Sequence, residues 1–314
     1  MYIFKKPKPL GKAKKRSTEN QRLLDMLNRF IDDNTSEPVK ILVRFWKDQE
    51  EALTYKEIRE MVEEGSVSDE ELENWSKDYS NLIRDQIMPL LEHAAEKAKK
   101  DISSLFEIDN FDFNTNEENV TMWIKERGAS LVTRLVEEQR DAVQSLIYRG
   151  YRDSVTPAQL ARTIRPCIGL TKPQANAVYN YKQKMIESLK KEHPRMKLKT
   201  IERKAEESAR KYSERLHRYR ADTIAQTELA NAYNTGVHQS LKQAQEKGYI
   251  GHVRKVWVTA RQDNVCKFCE SVEGVSKEMD EYFDVGKCGM VLIPPAHPRC
   301  RCVVKYVEVK EDQR

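Results

Sequence analysis

Five of the six cysteines of this chain fall between residues 266 and 302, at spacings that can hold a metal ion. Cys266-Lys267-Phe268-Cys269 is a Cys-x2-Cys turn. The backbone reverses between such residues, so both thiolates can point at one ion, and a second pair from a distant segment completes a tetrahedron. That pair is offered by His297-Pro298-Arg299-Cys300-Arg301-Cys302. Cys300 and Cys302 are two apart and share a face if the chain is extended there. The spacing predicts Zn2+ held by Cys266, Cys269, Cys300 and either Cys302 or His297. Two other readings stand beside it: a disulfide such as Cys269–Cys300, and thiols buried as small apolar groups. A catalytic zinc keeps one position open for water, whereas four protein ligands close the shell, so the expected role is structural. A loop with few large apolar groups gains most from such a clamp, on the order of 10 kcal/mol in small metal-held modules. Cys288 reads as a bystander in a Gly-rich loop, and Cys167 as a core residue.

Other reaction chemistry is sparse. The chain has no Gly-rich phosphate loop, no His-Glu-x-x-His and no Gly-x-Ser-x-Gly. Glu228 lies on a polar helix stripe, where it can serve as a general base or complete a buried hydrogen-bond network; the network is the expected role. Asp263, just before the Cys-x2-Cys turn, is expected to cap a turn. The N-terminal sixteen residues carry Lys5, Lys6, Lys8, Lys12, Lys14, Lys15 and Arg16 and no acid. They read as a basic arm for nucleic-acid phosphates or as a solvated terminus, and composition alone does not choose.

The elements that must position these groups are mainly helices. Thr54 with Glu57 and Ser68 with Glu71 have the capping-box pattern. Residues 69–100 repeat apolar groups at steps of three and four, and Pro89 is expected to bend or end that helix. Residues 101–115, around Phe106, Phe111 and Phe113, read as a loop. A helix then starts near Asn116 and stops at Gly150. Thr156-Pro157-Ala158-Gln159 and Thr171-Lys172-Pro173-Gln174 each open a further helix, and Pro194 ends the second. Residues 195–220 read as an exposed helix with i,i+4 pairs such as Glu206–Arg210. In residues 221–246, Ala225, Leu229, Ala232, Gly236 and Ser240 form a small-residue stripe for a second helix. Thr227, Asn231 and Asn234 line a polar stripe beside it. Strands are expected around Val253–Thr259 and Val303–Val309.

The fold class is therefore α+β, with a largely helical N-terminal two-thirds and a small α+β C-terminal module stapled by zinc. The expected division is a basic arm over 1–16, helical regions over 17–150 and 151–250, and a Cys-rich module over 251–314. In 314 residues, 39% are hydrophobic and 33% charged, with a net charge of +5. That balance suits long solvated helices that meet partners. No apolar run is long enough for a membrane span, and no apolar core follows the basic N-terminus, so neither a span nor a secretory leader is expected.

Several of these residues occur in a recognisable order. Thr156-Pro157-x-Gln159-Leu160-Ala161 precedes Gly169-Leu170-Thr171-x-x-Gln174-Ala175. Arg220-Ala221-Asp222-Thr223-Ile224-Ala225-x-Thr227-Glu228 continues to Ala232-x-Asn234-x-Gly236. Trp257, Asp263, Cys266-x-x-Cys269, Gly274 and Pro294-Pro295-x-His297-Pro298-x-Cys300-Arg301-Cys302 close the series. Over roughly residues 150–305 the chain resembles the phage head-morphogenesis family, the minor head proteins similar to protein F of phage Mu. The resemblance marks Arg220, Thr227, Glu228, Asn234, Gly236 and Asp263 as motif positions. It implies a non-enzymatic minor structural protein inside a tailed-phage virion, present in few copies near the portal vertex. The implied partners are the portal protein, packaged double-stranded DNA and scaffold or capsid proteins, with roles in head assembly and in DNA packaging or ejection. One departure is Gln226, where many relatives carry Arg. Longer relatives carry a toxin domain after this module, and none is expected here. The competing functional reading is a zinc-dependent enzyme, a hydrolase or nucleotide-modifying protein carried in the virion.

Overall fold

A computed structural model describes residues 18–106, 118–260 and 266–309. The basic-arm residues Lys5, Lys6, Lys8, Lys12, Lys14, Lys15 and Arg16, the motif residue Asp263, and Phe111 and Phe113 lie outside the described residues.

The chain is mostly helical, with a small strand module at its C-terminal end. In order come α1 (Thr18–Asn34), α2 (Ser36–Ala52), α3 (Tyr55–Glu64), α4 (Asp69–Leu82), α5 (Met88–Phe106), α6 (Glu118–Arg152), α7 (Pro157–Ile164), α8 (Lys172–Glu192) and α9 (Leu198–Glu246). Then follow β1 (Val253–Val258), α10 (Lys267–Ser271), β2 (Ser276–Glu278), β3 (Phe283–Asp284), β4 (Met290–Val291) and β5 (Val303–Glu308). Each predicted N-cap is present, with the reciprocal box bond made at α3 and α8 but not at α4. Thr54 and Glu57 form a full capping box at α3, Ser68 accepts from the Glu71 amide, Thr156 caps α7, and Thr171 with Gln174 boxes the start of α8.

Pro89 does not end its helix. Residues Ile83–Ile87 widen into a π turn, with the Met88 amide bonded to the Ile83 carbonyl, and α5 continues from there to Phe106. A proline lacks the N–H for an i−4 bond and its ring presses on the i−4 carbonyl. The wider turn immediately before Pro89 separates those groups, so the helix passes through. Residues 101–106, expected in a loop, complete α5. Gly150 does not stop α6, which runs on to Arg152. Its missing Cβ serves packing: a Cβ there would lie 2.2 Å from Leu160 Cδ2, so α7 rests directly on the α6 backbone.

The 49-residue α9 is the axis of the molecule, and α1, α2, α5 and α8 all pack against it. The predicted small-residue stripe makes the closest of these contacts. A Cβ on Gly236 would lie 2.6 Å from Ala95 Cα, so α5 and α9 meet backbone to backbone. The first half of α9 is not simply an exposed helix: Ile201, Ala205, Ala209, Ser213 and His217 are buried. The expected Glu206–Arg210 pair is absent. Glu206 instead reaches across to buried Lys182 of α8 at 3.1 Å, and Arg210 pairs one turn onward with Glu214 at 2.8 Å. Tertiary pairing with a buried cation takes the carboxylate from its local partner.

The strands form an antiparallel sheet in the order β2-β1-β5, with Trp257 opposite Val304 and Val258 opposite Val303, and β3 pairs with β4 in a separate ribbon. One apolar core runs from Leu24 of α1 to Tyr306 of β5, so the sheet shares the core of the helices. A second core gathers Trp257, Cys269, Val272, Phe283, Val285, Cys300 and Cys302, with Trp257 edge-on to Phe283 at 5.1 Å.

Candidate metal centre

The Cys-x2-Cys turn is built by α10. Cys266 is its N-cap residue and Cys269 lies in its first turn, which puts both sulfurs on one side of a five-residue helix. Burial raises the pKa of Cys266. The backbone N–H groups of Cys269 and Phe268, turned toward its sulfur, outweigh that and hold it below the ordinary thiol value. The second segment runs from His297 to Cys302 and enters β5. The two segments meet. Cys266, Cys269 and His297 have donor atoms mutually within 4.8 Å, as do Cys269, Cys300 and Cys302. All five predicted donors therefore converge on Cys269, which belongs to both groups.

The separations fit a tetrahedral ion. Cys269 Sγ lies 3.9 Å from Cys300 Sγ and 3.3 Å from His297 Nε2. Thiolates at the usual Zn–S distance of about 2.3 Å stand about 3.8 Å apart on the edge of a tetrahedron. A disulfide needs sulfurs about 2.05 Å apart, and the six cysteines are all free thiols. His297 Nδ1–H donates to the Pro298 carbonyl at 2.9 Å. That bond fixes the ring with Nε2 toward the sulfurs, as an outer hydrogen bond does for a metal-binding imidazole. Hydrogen bonds from Cys269 and Cys302 pull the pKa of Cys300 well below the ordinary thiol value. The hydrogen bond to Cys300 pushes His297 up to about 9. An arriving cation would displace the imidazole proton and complete the ionisation of the sulfurs. The cluster can bind a metal; Cys266 and His297 form its half-exposed side, while Cys269, Cys300 and Cys302 are buried.

Cys288 is not remote from this centre. It packs on the same core, and its pKa is raised by burial and then by the neighbouring sulfurs of Cys266 and Cys300. The Gly-rich loop folds back over α10, which spacing along the chain did not reveal. Cys167 is buried in the main core, as expected.

The segment that supplies the second donor group alternates in function along its length. Cys300 and Cys302 turn into the sulfur core, and the arginines between and before them turn out to the helices. The Arg299 amide donates to Thr227 Oγ1 at 3.0 Å and its Nε to Thr223 Oγ1 at 3.1 Å, while its guanidinium pairs with Asp222 and lies over the Tyr219 ring. Arg299 takes φ 58°, a left-handed conformation unusual outside glycine, and this group of contacts holds it there. Arg301 donates to Asn28 and Asp32 of α1 at 3.0 and 2.9 Å and to Gln226 of α9 at 3.1 Å. Asn234 Nδ2 donates to the Cys302 carbonyl at 3.3 Å. The polar stripe of α9 is thus the dock for the Cys/His segment.

The remaining motif positions hold the helices under that dock. Glu228 is 2% exposed. It accepts a fork from Arg127 at 2.7 and 2.9 Å and a third bond from Arg134 at 3.1 Å, which ties α9 to α6. Both carboxylate oxygens are engaged, which is the network role. Arg220 is buried, donates to the Gly169 carbonyl and to Glu138 at 2.5 Å, and stacks on Trp46 of α2. A Cβ on Gly169, at φ +81°, would fall 2.4 Å from Trp46, so glycine is required there for both turn and contact. Reading the sequence did not find Arg127, Arg134, Glu138, Arg299 or Arg301. The Arg-Cys-Arg-Cys alternation was the available signal for the last two.

A family model described as phage Mu protein F like protein matches residues 137–305, over half of the 314 residues. The chain belongs to this family. No curated protein and no solved structure matches it. The Mu F-like region takes in every metal-donor candidate, the polar stripe of α9, Arg220 and Glu228. Arg127, Arg134 and the α1 residues that receive Arg301 lie outside it, so the N-terminal helices brace the family region from beyond its limits. No helix among the described residues is long and apolar enough to cross a membrane.

Proposed function

We propose that this protein is a minor structural component of a tailed-phage head. It acts in head morphogenesis, sits near the portal vertex inside the virion in few copies, and takes part in DNA packaging or ejection. The observation that carries this reading is the family match over residues 137–305. The geometry is in keeping with a structural role: Arg220, Thr227, Asn234 and Gly236 are spent on clamping elements together, and Glu228 has both oxygens bound by arginine. Its helical half docks on the portal protein, with scaffold or capsid proteins as further partners. The arm residues Lys5 to Arg16 meet packaged duplex DNA. If all seven arm cations contact phosphates, log K falls with log salt at a slope of about −6.

The ion is structural Zn2+. Cys266, Cys269 and Cys300 would hold it together with His297 or Cys302, and it would lock α10 to the start of β5. The donor set supports this assignment: soft thiolates with one imidazole at tetrahedral spacing. The assembly role is tested by co-expressing the chain with the portal protein of the same phage genome and purifying on a portal tag. Stoichiometric co-elution is expected; no association at micromolar concentrations overturns the role. Metal analysis of the reduced protein tests the ion, with about one zinc per chain expected. A chelator should then abolish the near-ultraviolet signal of Trp257 and Phe283 while the helical far-ultraviolet signal stays. A metal-free protein that keeps its near-ultraviolet signal overturns the staple.

A further inference from the structure

The tip of the α8–α9 hairpin carries a charge pattern that the assignments above leave unused. Between residues 184 and 204 the sequence has eight Lys/Arg and three Glu, an excess equal to the net charge of +5 for the whole chain. Lys190, Lys191, Arg195, Lys197, Lys199 and Lys204 are all exposed. None of them makes a salt bridge among the described residues. Some exposed cations elsewhere on the helices pair at i,i+3 or i,i+4, as in Lys40–Glu37, Lys47–Glu51, Lys56–Glu60 and Lys211–Glu207, and others, such as Arg29, Arg59, Lys77 and Lys172, stand singly among the described residues; the tip differs in gathering its cations within one short stretch.

The placement suits helix electrostatics at the end of α8 and runs against them at the start of α9. Lys190 and Lys191 close α8, where its dipole favours cations. Lys197 and Lys199 open α9, whose first turn contains no acid and whose N-cap side chain makes no capping bond. Arg195 stands just before them. The positive end of a 49-residue helix is thus surrounded by further positive charge. Such an arrangement is unfavourable by itself and becomes favourable when an external anion occupies it.

The chemistry of the tip narrows the anion. Residues 182–211 contain no Phe, Tyr or Trp, so the tip has no platform for stacking unpaired bases. Long cationic side chains on a narrow two-helix end match closely spaced phosphates on a duplex, contacts that position a protein without reading bases. We propose that the tip of the α8–α9 hairpin, through Lys190, Lys191, Arg195, Lys197, Lys199 and Lys204, binds the phosphate backbone of duplex DNA without sequence preference. This surface is separate from the N-terminal arm and does not depend on portal docking.

The test is fluorescence anisotropy on the full chain with a short mixed-sequence duplex, over a salt series. In the tip variant, Lys190, Lys191, Arg195, Lys197 and Lys199 are each changed to Gln. The slope of log K against log salt should become shallower by about 4.5, near 0.9 per lost contact, with the affinity at low salt falling at least about tenfold. A control variant with Lys40, Lys47, Lys56, Lys211 and Arg210 changed to Gln loses the same formal charge and should keep the slope within about one unit. Acetylation footprinting of the unaltered chain should show the tip lysines protected by duplex, a readout that requires no variant to fold. An unchanged slope in the tip variant, an equal loss in the control, or unprotected tip lysines overturns the proposal. So does binding to anionic phosphatidylglycerol vesicles with none to duplex. Portal co-elution should be the same for tip variant and unaltered chain, so a failed assembly role and a failed DNA surface give different results.

Discussion

Glu228 illustrates how a single carboxylate fixes the relation of two helices. It is buried, its two oxygens receive three guanidinium hydrogen bonds, and the donors come from a helix about a hundred positions away in sequence. Removing one partner of a buried pair leaves charges unpaired, at about 3–5 kcal/mol when both are deeply buried. Here Arg127 and Arg134 are 26% and 43% exposed and regain solvent, which reduces that figure. Glu228→Ala is expected to destabilise by about 2 kcal/mol and Glu228→Gln, which keeps the acceptor oxygen, by less. Urea midpoints of the three proteins check the order, and equal midpoints would remove Glu228 from the clamp. Arg299 acts differently, because its backbone is held at φ 58° by contacts with Asp222, Thr223, Thr227 and Tyr219. Arg299→Ala keeps the unfavourable φ and loses the side-chain anchors, whereas Arg299→Gly relieves the φ. Strain of this kind costs of order 1–3 kcal/mol. Arg299→Gly should therefore be the more stable of the two in thermal melts, and the reverse order would show that the φ carries no strain.

Among the elements, the α5–α9 crossing is the contact least able to give way. The atom facing Gly236 is the Ala95 backbone, 2.6 Å from where a Cβ would stand. A methyl group there has to push two helices apart. Gly236→Ala should lower stability by about 2–3 kcal/mol, at the upper end of overpacking costs. Gly128 on α6 is the matched comparison, because its added Cβ would meet only side chains, the flexible Met88 Sδ at 3.2 Å and Ile83 Cγ2 at an ordinary contact distance of 3.5 Å. Gly128→Ala should be neutral or stabilising by up to about 1 kcal/mol, since alanine restricts the unfolded chain and favours helix. Equal effects in chemical denaturation would refute the backbone contact. The stripe that makes this crossing was legible in the sequence because small residues at helical spacing have one common use. The caps at Thr54, Ser68, Thr156 and Thr171 were legible too, since capping is decided within four residues. What distance along the chain concealed was the effect of tertiary partners. Lys182 drew Glu206 away from Arg210, the π turn let α5 pass Pro89, and the Gly-rich loop returned Cys288 to the sulfur core. The Cys/His donors were predicted as a group because metal geometry constrains their spacing. Their docking on Thr223, Thr227 and Asn234 was not, because hydrogen bonds between segments leave no periodic trace.

At the scale of the whole molecule, two imidazoles set how the shared core responds to acid. His217 is buried against Trp46, and its Nε2–H donates to the Ile168 carbonyl at 2.7 Å. Burial, with the nearby Arg220 cation, lowers its pKa to about 4 in spite of that hydrogen bond. His238 is held at about 3 by burial and then by Lys255 and Lys242, with Asp280 opposing them. Both folded-state values lie below the unfolded value near 6.5, so the unfolded chain binds more protons as the pH drops. The stability these groups contribute is complete above pH 6.5 and is lost progressively as the pH falls toward 4 and then 3. At 1.36 kcal/mol per unit, His217 alone accounts for about 2–3 kcal/mol between pH 6.5 and 4.5. Because His217 joins α9 to the turn before α8 and His238 bonds Tyr306 of β5 at 2.9 Å, protonation loosens the central helix near its middle and toward its C-terminal end. His217→Gln can keep the donor to Ile168 but cannot take up a proton. Its urea midpoint should therefore start lower at pH 7 and decline less steeply between pH 6.5 and 4.5 than that of the unaltered chain. Parallel declines would mean that His217 is already protonated in the folded protein, and the neutral buried imidazole would have to be abandoned.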